Sequence, residues 1–128
     1  MEIGEIKPTA ELEYMVKSYG PDGSEQPPQP LKLTVRFMGI DRGVDLVSID
    51  DKESPITKLR KSDFNQAAIA SAIEAWDLTT NGTPIPLNNE TKKIYVPYIC
   101  ASMTIDGDIV GYELIAFIMN QHNFLKNS

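Results

Sequence analysis

From Leu31 to Met38 the side chains alternate in character, with Leu31, Leu33, Val35 and Phe37 on one side of an extended chain and Lys32, Thr34, Arg36 and Met38 on the other. Period two marks a half-buried strand, because successive side chains of an extended backbone point to opposite faces. Leu12, Tyr14 and Val16 repeat the pattern against Glu11, Glu13, Met15 and Lys17. Between the two runs, residues 20–30 hold Gly20-Pro21, Asp22-Gly23, Pro27, Pro28 and Pro30 and no large apolar side chain. That composition predicts an exposed, mobile loop. The runs therefore predict a β-hairpin with a long mobile tip, and since a lone hairpin is marginal in water its apolar face must lie on later elements. Residues 1–10 read as a loose arm. In residues 39–53, Val44, Leu46, Val47 and Ile49 fit a third strand or one turn of helix, and the strand is the expectation.

The period then changes. Ser54-Pro55 suits an N-cap and first helical position, with Ile56 and Leu59 inward and Lys58, Arg60 and Lys61 in water. From Ser62, a second candidate N-cap, Ala68, Ile69, Ala72, Ile73 and Trp76 fall on one stripe of a helix, so Trp76 is expected to close it. After it, Asn81-Gly82 is a tight-turn dipeptide, and Pro84 and Pro86 forbid a helix interior. Asn88 or Asn89 then caps a helix that Pro97 interrupts, giving a fresh helix from Pro97 to about Ile105. Asp108 caps the last helix, whose apolar stripe of Ile109, Val110, Leu114, Phe117 and Ile118 is widened by Ile115 and Met119. A helix this apolar sits deep in the core or presents a patch to another chain, which makes Ile115 and Met119 the candidate interface residues.

The fold class is α+β: an N-terminal β-hairpin or small antiparallel sheet, then three to four helices. With 128 residues the chain is expected to be one domain over 1–128, strand-rich over 11–53 and helical over 54–128.

Composition narrows the function. The net charge of −6 argues against nucleic acid, whose phosphates demand clustered cations, so partners are expected to be proteins. One cysteine, Cys100, and one histidine, His122, leave no disulfide within the chain and no four-ligand zinc site. Neither Asp50, Asp51 and Glu53 nor Asp106-Gly107-Asp108 has calcium-loop spacing, and both read as solvated turns, so no metal and no cofactor is expected. No apolar run approaches the roughly 18 residues of a membrane span, and the N-terminus does not resemble a signal peptide, so a cytosolic protein is expected. Phosphate loops, HExxH, CxxC and Gly-x-Ser-x-Gly are all missing, Cys100 lies among apolar neighbours, and His122 lies in a last helical turn, so the chain is not expected to be an enzyme.

Trp76-Asp77-Leu78, a polar turn with Gly82, then Pro84-Ile85-Pro86 and a polar helix start together resemble the signature of the tail assembly chaperones of long-tailed, siphovirus-type bacteriophages and prophages. With its flanking helices the resemblance covers residues 60–125. It implies a protein-binding factor of the host bacterial cytoplasm that coats the tape measure protein, recruits tail tube subunits and leaves before the virion is complete; an exposed patch on the last helix would also allow self-association. It also implies a longer product made by a −1 ribosomal slip near the end of the gene. Leu125-Lys126-Asn127 permits a slippery A AAA AAC heptamer there, though synonymous codons leave the point to the nucleotide sequence. The alternative is a small acidic adaptor or immunity-type module that binds a basic partner.

Overall fold

Two long strands, β1 (Thr9–Tyr19) and β2 (Glu25–Arg36), pair antiparallel from Thr9↔Arg36 to Tyr19↔Glu25 in the computed structural model, which describes residue 5 and residues 7–38 and 65–125. Leu12, Tyr14 and Val16 turn inward with Leu31, Leu33 and Val35, as the period-two pattern predicts. The expected long tip is corrected. Only residues 20–24 form the turn, and Pro27, Pro28 and Pro30 belong to β2. Proline lacks an N–H and is tolerated where a strand has a free side. Here the third strand pairs only with Leu33 to Val35, so among the described residues the proline-rich half of β2 has a neighbour on one side alone. Pro27 and Pro28 also fall where the register shifts, between Val16↔Gln29 and Ser18↔Gln26, so neither is asked for a ladder hydrogen bond. The loose arm is likewise shorter than expected: β1 starts at Thr9, and the Lys7 N–H donates to the Phe124 carbonyl at 2.6 Å.

Residues 65–72 form helix α1, and Ala68, Ile69 and Ala72 are buried as their spacing predicts. The helix does not run to Trp76. Ile73–Trp76 is instead β3, antiparallel to β2 in a sheet of order β1-β2-β3. Ile73 faces Val35, Ala75 faces Thr34 and Trp76 faces Leu33, so Glu74 is an extra residue in a bulge. The bulge restores Trp76 to the inward face occupied by Ile73. Two further short strands, β4 (Thr79–Thr80) and β5 (Thr83–Pro84), form a hairpin around the tight turn expected at Asn81-Gly82.

Helix α2 (Asn89–Ala101) is unbroken, which corrects the reading of Pro97 as a helix start. Pro97 cannot bond to the carbonyl of Lys93, but both residues lie on the exposed side, where water takes the vacant acceptor. The start is well capped: Asn88 Oδ1 accepts from the Thr91 N–H at 2.9 Å while Thr91 Oγ1 accepts from the Asn88 N–H at 3.0 Å. The helix ends at Ala101 rather than Ile105, because the chain after it joins the sheet edge: Thr104 bridges Val16, and the Ile105 N–H donates to the Met15 carbonyl at 3.0 Å. Asp108 does not cap the last helix, α3 (Val110–Ile118). Its N-cap is Ile109, and the Asp108 N–H is held in a turn by Thr104 Oγ1 at 3.0 Å. A 3₁₀ turn, Gln121–Phe124, follows and holds His122.

One core joins these layers. The inner face of the sheet, with Ile73 in it, meets Ile69 of α1, Val96 and Ile99 of α2, and Val110, Leu114 and Ile118 of α3. Phe124 is fully buried and stacks on Phe37 with ring centroids 5.5 Å apart. The architecture is α+β, an antiparallel sheet followed by a helical C-terminal part. The expectations for residues 39–53, for Ser54-Pro55 and its cationic face, for Ser62 and for residues 126–128 lie outside the described residues.

Candidate functional site

Residues 76–86 bring the signature positions into one hydrogen-bonded clasp. Asn81 (φ 50°) and Gly82 (φ 78°) are both left-handed, the pair of conformations that a two-residue hairpin turn of matching twist requires. Thr80↔Thr83 and Thr79↔Pro84 pair beside that turn, and the Ile85 N–H donates to the Leu78 carbonyl at 2.9 Å. Pro84 sits at the edge of this two-stranded ribbon, where its missing donor costs nothing.

Both ends of the clasp are fastened. Trp76 donates its indole N–H to the Ile85 carbonyl at 2.8 Å, and its ring meets Tyr95 of α2 edge-on, centroids 6.3 Å apart. Asp77 extends the sheet by one register step: its N–H donates to the Lys32 carbonyl at 3.2 Å and its Oδ1 accepts from the Lys32 N–H at 3.0 Å. The Pro86 carbonyl accepts from Thr91 Oγ1 at 2.7 Å, which ties the clasp to the cap of α2. Leu78 packs against the core. Of the signature residues, Trp76, Asp77 and Pro86 fasten the clasp to α2 and β2, Leu78 packs on the core, and Gly82, Pro84 and Ile85 form its turn and ribbon.

Ile115 and Met119 are 6% and 5% exposed, inside the core. Both belong to the buried cluster that also holds residues of β2 and α2, and α3 packs on α2. The apolar groups that do reach the surface are elsewhere. Tyr98 is 71% and Ile94 56% exposed, one turn apart on the outer side of α2, with the Tyr98 ring 6.5 Å from that of Tyr95. Neither was singled out from sequence, although their four-residue spacing puts them on one helix face.

A second surface lies on the outer side of the sheet. Glu11 and Glu13 of β1, Lys32 and Thr34 of β2, and Ala75 and Asp77 line an open groove of about 530 Å³. The rows across it are Glu13, Lys32, Asp77 and Glu11, Thr34, Ala75. Arg36, at the end of β2, is committed elsewhere: its Nε is 3.4 Å from Glu74 and its Nη2 donates to Ser71 Oγ at 2.8 Å.

Burial pushes the Cys100 thiol up to about 11, so at neutral pH it is protonated against Gly111 of α3. The Tyr14 hydroxyl is raised to about 12, chiefly by burial and then by the charge of Glu113. Neither is a nucleophile in this setting. Among the described residues no group of three or more His, Cys, Asp or Glu is placed to hold a metal ion, and no helix is long and apolar enough to cross a membrane. Compared with known protein families, curated proteins and solved structures, the chain matches none.

Proposed function

We propose that the chain is a tail assembly chaperone of a long-tailed bacteriophage or prophage, a non-catalytic factor that binds the tape measure protein and recruits tail tube subunits in the host cytoplasm. One observation carries the reading: the seven signature residues act as a unit, a clasp closed by Trp76 on Ile85 and fastened to β2 and α2. A set of residues with a shared structural task is what a signature without chemistry requires. The exposed Tyr98 and Ile94 beside that clasp supply the aromatic and apolar contact area that protein interfaces favour.

The acidic groove on the sheet supports a second reading, a small adaptor for a basic partner, and the two separate in one experiment. The chain is co-expressed with a tape measure protein, which the chaperone reading expects to be encoded by a very long gene beside this one. A chaperone raises the soluble yield of that protein and co-purifies with it. Unchanged yield with no co-purification favours the adaptor. The nucleotide sequence adds an independent check, since the chaperone reading expects a slippery heptamer in the last codons and an open −1 frame beyond it.

A further inference from the structure

We infer that the outer face of the sheet is a docking surface for a segment of a partner protein that presents an apolar head followed by arginine or lysine side chains. The face has two ends. At one, Thr104 turns inward beside Val16, so its neighbour Ile105 lies outside next to Met15, and Pro30 is across the ladder from Met15. These form an exposed apolar end, with Ile105 52% and Met15 39% accessible. One row along, about 7 Å away by strand geometry, the groove begins, with Glu13 and Asp77 flanking Lys32 and then Glu11 beside Thr34 and Ala75. Three carboxylates face one ammonium group.

Charge selects the occupant. Among the described residues neither Glu11 nor Glu13 is in an ion pair, whereas Arg36, the other cation of β2, is taken by Glu74. Thr34 and Ala75 make a floor of small side chains between the longer carboxylates, which leaves room for a long cationic side chain to lie flat. An acidic segment would meet repulsion at Glu11, Glu13 and Asp77, and a wholly apolar one would strand those carboxylates without water. A second copy of this chain, net charge −6, is a poorer fit for the same reason. The inference goes beyond both readings of function by naming the chemistry of the bound segment, and it holds whichever of them the co-expression experiment favours.

The test uses the full chain and a synthetic peptide of about a dozen residues, a Leu-Leu head followed by alternate arginines, long enough to run the length of the face. Amide NMR shifts of Glu11, Glu13, Lys32 and Thr34 report binding and locate the peptide on the groove. The arginine peptide binds on Glu11, Glu13 and Met15, and a version with glutamate for arginine does not. Glu11→Lys with Glu13→Lys weakens binding about tenfold, the product of modest effects per exposed charge. Glu11→Gln with Glu13→Gln weakens it less and keeps the side-chain shape, should the reversal disturb folding. Lys32→Thr tightens binding severalfold, which structural damage would not do. Equal binding of both peptides, indifference to all three variants, or sedimentation showing the face occupied by a second copy overturns the inference. That failure would leave the co-expression result untouched, so the two readings fall separately.

Discussion

Gly111 is where the two C-terminal helices touch. A Cβ built on it would lie 2.9 Å from the Cys100 carbonyl oxygen, 3.1 Å from the Cys100 Cβ and 3.2 Å from its Cα. The first of these contacts is to backbone, so no side-chain rotation relieves it. Gly111→Ala must move α3 away from α2 by some tenths of an ångström, which opens the packing around Val110 and Leu114, both fully buried. Overpacking of this kind costs about 1–3 kcal/mol. Alanine recovers part of that through its helix preference, worth at most about 1 kcal/mol and less here in the first turn. The net expectation is a loss of about 1–2 kcal/mol, read as a lower urea midpoint at unchanged m-value and a fall in Tm on the order of 5 °C. A variant as stable as the parent, or more so, would mean that the helices are not in backbone contact at Gly111, and the core as described would be wrong.

Trp76→Phe keeps a ring against Tyr95 but removes the indole donor to the Ile85 carbonyl, and should cost about 1–2 kcal/mol in urea unfolding while raising amide exchange across residues 76–86. Loss of stability without faster exchange there would separate Trp76 from the clasp. Cys100 gives a pH test: its folded-state value is raised from 9.0 to about 11, so its contribution is fully present below pH 9 and is lost as pH rises from 9 to 11. Tyr14 adds a similar decline between pH 10 and about 12. Cys100→Ala should flatten the fall between 9 and 11, and an identical slope would place the thiol in water.

The strand pair was legible because one face of β1 and β2 is buried and the other wet, which imposes period two on the residues themselves. Its length was not. Three prolines read as a loop from local preference, and what lets them sit in a strand is that the pairing of β3 with β2 ends at Leu33, short of them. The buried set Ala68, Ile69, Ala72 and Ile73 was also legible, but the backbone change at Ile73 was hidden. A helix and a bulged strand both place Ile73 and Trp76 inward, so periodicity alone cannot separate them. Pro97 shows the opposite limit, since a general rule about helix interiors gives way when the lost bond faces solvent. In the candidate site, Asn81-Gly82 announced its turn, whereas the Trp76 to Ile85 and Asp77 to Lys32 bonds arise from contacts that sequence spacing does not encode. Ile115 and Met119 carried the apolar signal of an interface, and burial against the sheet and α2 accounts for that signal instead.

We propose that this chain keeps an aggregation-prone tape measure protein soluble by binding it. The direct measurement is light scattering of that protein on dilution from denaturant, with and without the purified chain, followed by size-exclusion chromatography of the supernatant. The account predicts that scattering falls with added chain to a plateau and that the two proteins elute together, with the Trp76→Phe variant weaker than the parent. Scattering that is unchanged at every ratio, with separate elution, would contradict it.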